Sequence, residues 1–192
     1  MTPPEETTPN RVEGIAERLT FKSRYVLIFG EITDRVARST CERLIALAQE
    51  SDQPINVLVC SHGGHVESGD AIHDMIRFIG APVTTIGTGW VASAGTHVFL
   101  AAPKKRRVCL PNTRFMIHQP SGGAGGQQTD IAIQAREIIK TRERIARVIA
   151  REAGKPYEKV IADMERDFWL SAEEAIEYGL VSRIVEKQSE IG

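Results

Sequence analysis

The sequence lacks several features that would by themselves identify a class of protein. Nowhere do about 20 apolar residues run together, so no membrane span is predicted. The polar, proline-bearing stretch Met1 to Asn10 lacks the apolar core of a secretory signal. The 24 basic residues almost balance the 25 acidic ones, which gives a formal net charge of −1. That balance offers no general attraction to nucleic acid or to acidic membranes.

Cysteine is also scarce. The chain has three, widely spaced and next to apolar residues: Cys41, Cys60 and Cys109. This pattern is typical of reduced thiols rather than of a disulfide framework, and we expect a cytoplasmic protein. His62, His65 and Glu67 form a compact polar group, but their spacing matches no zinc signature. We therefore expect neither a metal nor another cofactor in this chain.

Length and patterning predict one α/β domain. With 192 residues, 42% of them hydrophobic, the chain can build a single substantial core. We predict a disordered segment over residues 1–14 and one domain over residues 15–192. Strand patterns and helix patterns alternate, with strands at 25–29, 55–60 and 82–86 and helices at 34–50 and 68–79. Such alternation indicates parallel βαβ units covered by helices on both faces.

Ser93 has the sequence setting of a nucleophile. It follows the predicted strand 82–86 and a run of small residues, and it precedes a predicted buried helix over 94–102. A serine at a strand-to-helix turn exposes its oxygen while the first backbone N–H groups of the helix point towards the group under attack. The alternative is an ordinary helix N-cap, since serine is common at that position.

Candidates for a base and an acid lie downstream. We predict a strand over 109–120 whose end delivers His118 just before the glycine-rich stretch 122–126. Asp163 and Asp167 lie one helical turn apart before two aromatic residues, and periodicity alone does not choose between them as the group that orients the imidazole. His97, one turn after Ser93, is a rival base, although we expect it to pack inside.

Several motifs in one order resemble the proteolytic subunit of the Clp protease. The match runs from about Gly30 to about Glu186, most of the chain. The motifs are Ala92-Ser93-Ala94-Gly95, Cys109-Leu110-Pro111-Asn112 running into Met116-Ile117-His118-Gln119-Pro120, Gln128-Thr129-Asp130-Ile131 with Ala135-Arg136-Glu137-Ile138, and Glu165-Arg166-Asp167 before Leu170-Ser171-Ala172. The resemblance implies the Clp/crotonase-like fold, a spiral of repeated ββα (βαβ) units with a protruding handle helix. The handle would occupy about residues 119–154.

The same resemblance implies a serine endopeptidase. Ser93 would be the nucleophile, His118 the general base and Asp167 the orienting acid, chosen over Asp163 by the family's Glu-Arg-Asp pattern. The turn Ser61-His62-Gly63-Gly64 is similar to the family's Ser-Pro-Gly-Gly turn. The backbone N–H groups of Gly64 and Ala94 would then form the oxyanion hole.

The family's assembly implies partners. It consists of two stacked seven-membered rings, a tetradecamer, enclosing a chamber for unfolded polypeptides, and an AAA+ ATPase unfoldase feeds the chamber. ATP would thus be used by the partner and not by this chain. Asn56 and Leu58 stand where the family has the aromatic residues of the docking pocket, and the family's N-terminal axial segment is only faintly matched by residues 17–24.

Three alternatives stay open on the sequence. One is a latent or non-catalytic subunit that completes a mixed ring with a paralogous proteolytic subunit. Another is a crotonase-like acyl-CoA enzyme, which would not need a hydrogen bond between Ser93 and His118. A membrane signal-peptide peptidase, echoed by residues 63–68, would want a lysine base and a membrane anchor, and neither is visible.

Overall fold

The computed structural model describes residues 11–123 and 125–191. Most of the segment predicted to be disordered, residues 1–14, lies outside these ranges, but residues 11–14 belong to the first helix. The helices are α1 Arg11–Lys22, α2 Asp34–Glu50, α3 Val66–Phe78, α4 Ala94–Phe99, α5 Gln128–Ala153, α6 Tyr157–Asp163 and α7 Ala172–Tyr178. The strands are β1 Tyr25–Ile32, β2 Ile55–Gly64, β3 Val83–Ala92, β4 Arg107–Cys109, β5 Arg114–Ile117, β6 Phe168–Leu170 and β7 Arg183–Ile184.

The sheet is parallel at its centre and divides at β3. Strands β1, β2 and β3 pair in parallel, which confirms the predicted α/β class. The first half of β3 pairs with β4, while its last residues, from Trp90 to Ala92, pair with β5. Strand β5 also pairs with β6, and this pairing is antiparallel. One long strand thus supports two short neighbours, one of which leads directly to His118.

The single strand predicted over 109–120 is wrong, because two strands separated by a turn occupy this segment. The Leu110 N–H donates to the Gly87 carbonyl (2.9 Å) and the Thr113 N–H donates to the Leu110 carbonyl (3.1 Å). Pro111, inside this turn, has no N–H to continue a ladder. The final strand, Arg183–Ile184, has only two residues.

The core lies between the central strands and the helices α2, α3 and α4. Side chains from β1 and β2 such as Ile28 and Val57 are fully buried against helix residues such as Leu44 and Ile72. All six residues of α4 are buried, as the apolar run after Ser93 predicts. The nucleophile candidate therefore stands at the start of a helix that is packed on every side.

Helix α5 is embedded at one end only. Its buried residues all lie in the last part of the helix: Ala146, Ile149, Ala150 and Ala153. Near its start, Ile131, Ile133 and Ile139 are 41%, 46% and 56% exposed. The first half of the helix thus projects from the core with apolar side chains uncovered, as the handle interpretation predicts. Among the described residues, no helix is long and apolar enough to cross a membrane.

A buried ion pair fixes the embedded end of α5 to the sheet. Arg107, the last residue of the basic run that starts at Lys104, is fully buried. The Arg107 guanidinium donates to the Ala102 carbonyl (2.7 Å), to the Glu152 carbonyl (3.0 Å) and to the Glu152 carboxylate. With its donors met in this way, a buried charge is tolerated. The pair links β4 to the end of the handle helix.

Gly179 allows the chain to turn tightly after α7, and we expect it to be required for stability. Its φ is +98°, and a Cβ there would overlap the backbone carbonyl of Ala153. Gly179→Ala should lower the free energy of unfolding by about 2 kcal/mol or more. Gly80→Ala is the matched control, because nothing lies within 4 Å of a Cβ at Gly80. Denaturant unfolding of both variants at one protein concentration makes the comparison, and equal stability would contradict the prediction.

Candidate active site

The chain turns sharply at Ser93 between β3 and α4. Ser93 has φ +56° and ψ −123°, a backbone conformation rare for any residue with a side chain. Its N–H donates to the Met116 carbonyl on β5 at 2.9 Å. Strained residues of this kind persist where the surroundings fix them, and they concentrate at active sites. The turn presents the Ser93 hydroxyl at the carboxyl end of the sheet.

Thr96 connects the three elements around this turn. Its hydroxyl is buried on α4 and lies 2.7 Å from the Val91 carbonyl and 2.9 Å from the Met116 carbonyl. These carbonyls belong to β3 and β5, so one side chain ties the nucleophile helix to both strands. Sequence reasoning missed Thr96, although a lone hydroxyl within an apolar buried helix is a signal that it has specific partners.

His118 reaches Ser93 from the end of β5. It directly follows Ile117, the last residue of that strand, and its Nε2 lies 2.8 Å from Ser93 Oγ. The imidazole side chain is 25% exposed. The base candidate is thus in hydrogen-bond contact with the nucleophile candidate and is still open to an incoming substrate.

Strand pairing brings Asp167 to the other side of the imidazole. Ile117 pairs with Phe168 across the antiparallel β5 and β6 strands, so the next residues outward, His118 and Asp167, are neighbours. His118 Nδ1 lies 3.0 Å from Asp167 Oδ1. A proton on Nδ1 donated to this carboxylate leaves Nε2 free to accept the Ser93 proton. Asp163 is engaged elsewhere, accepting a hydrogen bond from the Tyr178 hydroxyl at 2.7 Å.

The segments that carry His118 and Asp167 are clasped together. The Gln119 N–H donates to the Met164 carbonyl (2.7 Å), and the Gln119 side-chain amide donates to the Glu165 carbonyl (3.0 Å). The Glu165 carboxylate in turn accepts from Arg142 on α5 at 2.7 Å. The geometry of the acid is therefore linked to the middle of the helix α5. The sequence alone does not reveal these contacts, because they join residues far apart in the chain.

The end of β2 passes directly beside Ser93. A Cβ at Gly63 would lie 2.6 Å from the Ser93 Cβ, so only glycine fits there without displacement. The Gly63 N–H donates to Ser61 Oγ at 3.1 Å and is already used. Gly64 follows it, and Ala94 is the first residue of α4, where a backbone N–H has no acceptor inside the helix. This placement is compatible with the predicted oxyanion donors Gly64 and Ala94, which remain a prediction.

A cavity opens beside the Ser93 hydroxyl. Its lining is mainly apolar and includes Val66, Ala94, Ile117, Ile145, Ile149 and the imidazole of His97. His97 is only 4% exposed, as expected for a packed residue, yet it forms part of the cavity wall. The cavity is small, about 20 Å³, which is enough for one water molecule.

Two of the three cysteines, Cys41 and Cys109, are poor candidates for a competing nucleophile. Burial raises the pKa of Cys109 to about 12, and it also raises the pKa of Cys41. A thiol with a raised pKa is a poor nucleophile at neutral pH, because the thiolate is the reactive form.

Comparisons with known proteins agree with this geometry. The model of the family described as "Clp protease" matches residues 7–188. The "ATP-dependent Clp protease proteolytic subunit 3" of Rhizobium etli is 58% identical over 171 residues, which cover 89% of this chain and 88% of that protein. Subunit 2 from Gluconobacter oxydans is 60% identical over 173 residues, 89% of this chain and 78% of that one. The solved structure of a ClpP1 mutant from Listeria monocytogenes superimposes with a TM-score of 0.86 at 48% identity, covering 93% of this chain and 99% of that chain.

The two candidate acids can be separated by matched variants. We expect Asp167→Asn to slow acylation of Ser93 by about 10⁴-fold, because an amide stabilises the wrong imidazole tautomer. Asp163→Asn should leave the rate within about threefold of wild type, since the Asp163 carboxylate contacts Lys159 and Tyr178 and not His118. Single-turnover kinetics with an active ester measures both rates. A larger loss in Asp163→Asn than in Asp167→Asn would reverse the assignment.

Proposed function

This chain belongs to the Clp protease family, and we propose that it is a serine endopeptidase that cleaves unfolded polypeptides through Ser93, His118 and Asp167. The observation that carries the proposal is the continuous series of contacts from Asp167 through His118 to Ser93, at 3.0 and 2.8 Å. Nucleophile, base and orienting acid stand in the order that acyl transfer requires.

Acylation would begin with attack of Ser93 Oγ on a peptide carbonyl carbon. As the C–O bond forms, His118 Nε2 takes the hydroxyl proton, and Asp167 stabilises the imidazolium. The carbonyl oxygen becomes an oxyanion, for which the Gly64 and Ala94 N–H groups are the proposed donors. One such donor contributes about 3 kcal/mol to the transition state.

Collapse of the tetrahedral intermediate would break the peptide C–N bond. His118 then gives its proton to the leaving amine, and the N-terminal part of the substrate stays bound to Ser93 as an ester. Water, activated by the now neutral His118, attacks this ester in the second half of the reaction. Proton transfer back to Ser93 Oγ releases the acid product and restores the site. No metal or cofactor is required by any of these steps.

The geometry of the site disfavours two of the three alternatives that the sequence leaves open. A crotonase-like acyl-CoA enzyme does not need Ser93 hydrogen-bonded to His118, and the 2.8 Å contact is therefore evidence against it. A non-catalytic subunit of a mixed ring has no use for aligned reactive atoms. The alignment thus favours a catalytic subunit, whether the ring contains one kind of chain or two.

Self-association is the next part of the proposal. Members of the family form oligomeric rings and work with Clp ATPases. We propose two stacked heptameric rings for this chain, joined through the projecting half of α5. In support, Ile131, Ile133 and Ile139 expose apolar surface that a second handle would cover.

We propose an AAA+ unfoldase as a partner, and this unfoldase would be the component that uses ATP. Its docking site would lie on the outer face of the proposed ring. Leu58 lies there in an apolar recess with Tyr25, Ile86, Leu110 and Val185. Tyr25 contributes an aromatic side chain to this recess, whereas its β2 residue, Leu58, is not aromatic. The three free thiols support the proposal that the protein is cytoplasmic.

Hydrolysis of an unfolded protein tests the proposed function. Purified wild-type protein should degrade a disordered protein substrate to peptides, and Ser93→Ala should lower this rate by at least about 10³-fold. Lys105→Ala lies on an exposed turn remote from the site. It controls for loss of activity during purification and should retain the wild-type rate. Equal rates for wild type and Ser93→Ala would refute the proposal.

A substitution in the projecting half of α5 tests the proposed contact between rings. Because Ile139 is 56% exposed on the projecting half of α5, Ile139→Asp should leave the fold unchanged but place a charge in the proposed contact between rings. We expect native mass spectrometry to show a shift from double to single rings. Lys105→Asp is the control outside the handle. Unchanged double rings in Ile139→Asp would exclude this half of α5 as the ring contact.

A further inference from the structure

His65 lies between the two residues through which β2 and α3 reach the active site. It follows Gly64, the proposed oxyanion donor, and it precedes Val66, which lines the cavity beside Ser93. The His65 side chain is not part of the wall of that cavity, and it takes no part in the proposed proton transfers. Any contribution that it makes to the reaction therefore acts through the backbone of its neighbours.

The end of β1 lies directly behind the Gly64 backbone. A Cβ at Gly64 would overlap the Ile32 carbonyl oxygen, so only glycine allows this close approach. The His65 N–H donates to the same oxygen at 2.8 Å and therefore faces β1. Because successive N–H groups of a strand point to opposite edges, the Gly64 N–H faces away from β1, towards the side of β3, the strand that leads into Ser93. Its direction depends on how firmly the ends of β1 and β2 are held together.

Side chains add a second connection between these two strand ends. Asp34 comes two residues after β1, as the first residue of α2. The Ser68 hydroxyl on α3 donates to the Asp34 carboxylate. His65 Nδ1 lies 2.8 Å from Ser68 Oγ and 3.2 Å from Asp34 Oδ1. The three groups form a closed triangle that joins the segment after β1 to the segment after β2.

These contacts require a hydrogen on Nδ1 of His65. Since the Ser68 proton is used by Asp34, the serine oxygen accepts its hydrogen bond from the imidazole. Ser68 is only 3% exposed, so water cannot readily replace His65 as the partner of its hydroxyl. The hydrogen bond from Ser68, followed by the electrostatic interaction with His65, lowers the pKa of Asp34. The carboxylate is therefore ionised at neutral pH and accepts from both neighbours.

The other ring nitrogen has a local partner. His65 Nε2 lies 3.1 Å from the Glu67 carboxylate, whose side chain is 70% exposed. Glu67 belongs to the first turn of α3, so this contact does not reach β1. Exposed ion pairs of this kind contribute little, whereas the Nδ1 side is fixed by a buried hydroxyl. The connection between the strand ends thus depends on Nδ1.

We propose that His65, together with Asp34 and Ser68, is a positioning residue for the oxyanion hole. Its Nδ1–H holds the end of β2 against the end of β1 and so directs the Gly64 N–H. The inference rests on the proposed peptidase function, because an oxyanion forms only if Ser93 attacks a carbonyl. A donor that acts on the oxyanion affects kcat rather than KM, since the negative charge exists only near the transition state.

Two amide substitutions separate the two ring nitrogens. The side-chain nitrogen of asparagine reaches the position of Nδ1, and that of glutamine reaches the position of Nε2. His65→Asn should therefore keep the contact with Asp34 and Ser68, while His65→Gln should lose it. Glu67→Gln disturbs only the Nε2 side and is the control.

The measured quantity is the acylation rate of Ser93 with an active ester divided by the rate with its thiono analogue, in which sulfur replaces the carbonyl oxygen. Sulfur is the weaker hydrogen-bond acceptor, so this ratio reports on the oxyanion donors and does not depend on the fraction of active enzyme. We expect His65→Gln to lower the ratio by about tenfold, with KM for a peptide within about twofold of wild type, because a displaced donor loses part of its effect. His65→Asn and Glu67→Gln should keep the ratio within about twofold of wild type.

The outcomes separate this inference from the proposed function. If His65→Gln leaves the ratio within about twofold of the wild-type value, the role of His65 is overturned and the peptidase proposal still stands. An equal loss in His65→Asn and His65→Gln would also overturn it, because the Nδ1 contact would then not be the deciding one. The same holds for an equal loss in Glu67→Gln. No reaction of the wild-type protein with either ester would refute the proposed function and, with it, this inference.

Discussion

The double pairing of β5 is the constraint on which the site depends. Its parallel pairing with β3 fixes the strand that carries His118 next to the turn that carries Ser93. Its antiparallel pairing with β6 places Asp167 beside the same imidazole. Three side chains from distant parts of the sequence therefore meet because two sets of backbone hydrogen bonds share one four-residue strand. A displacement of β5 along either neighbour would separate all three.

The strained backbone of Ser93 is held in place by the packing around it. The backbone of Ser93 adopts a conformation that costs roughly 1–3 kcal/mol for residues of this kind. The fully buried helix α4 and the hydroxyl of Thr96 hold it there. Gly63 allows β2 to approach the serine more closely than a side chain would permit. The serine is thus preorganised by packing before any substrate arrives, which is how an enzyme avoids reorganisation during the reaction.

Helix α5 contributes side chains both to the contacts behind the site and to the exposed surface of its projecting end. Its embedded end is held by the buried Arg107–Glu152 pair, and Arg142 and Arg144 reach the acid segment and Asp70 from its middle turns. The projecting end exposes isoleucines. Any contact made by that end is therefore connected, through one rigid helix, to residues behind His118, Asp167 and His97. This arrangement gives a physical route by which assembly can affect the geometry of the site.

Local patterns predicted the regular elements well and the tertiary contacts poorly. Helix α2 begins and ends as predicted, with Thr33 as N-cap, and α7 opens with a capping box of Ser171 and Glu174. The strand predicted over 109–120 was wrong because periodicity did not reveal the turn at Pro111. The choice of Asp167 over Asp163 came from family resemblance, and the contact with His118 depends on the pairing of β5 with β6. Gln119 and Arg142 could not be found from the sequence, since their contacts join residues far apart in the chain.

The most direct test of the central claim is reaction of the assembled protein with a fluorophosphonate, followed by mapping of the adduct by mass spectrometry. Such a reagent modifies a serine that is activated by a base and accessible to a ligand. We predict a single adduct on Ser93, absent in Ser93→Ala. An adduct on another serine, such as the buried Ser61 or Ser68, or an unmodified Ser93 in the assembled protein, would contradict the account.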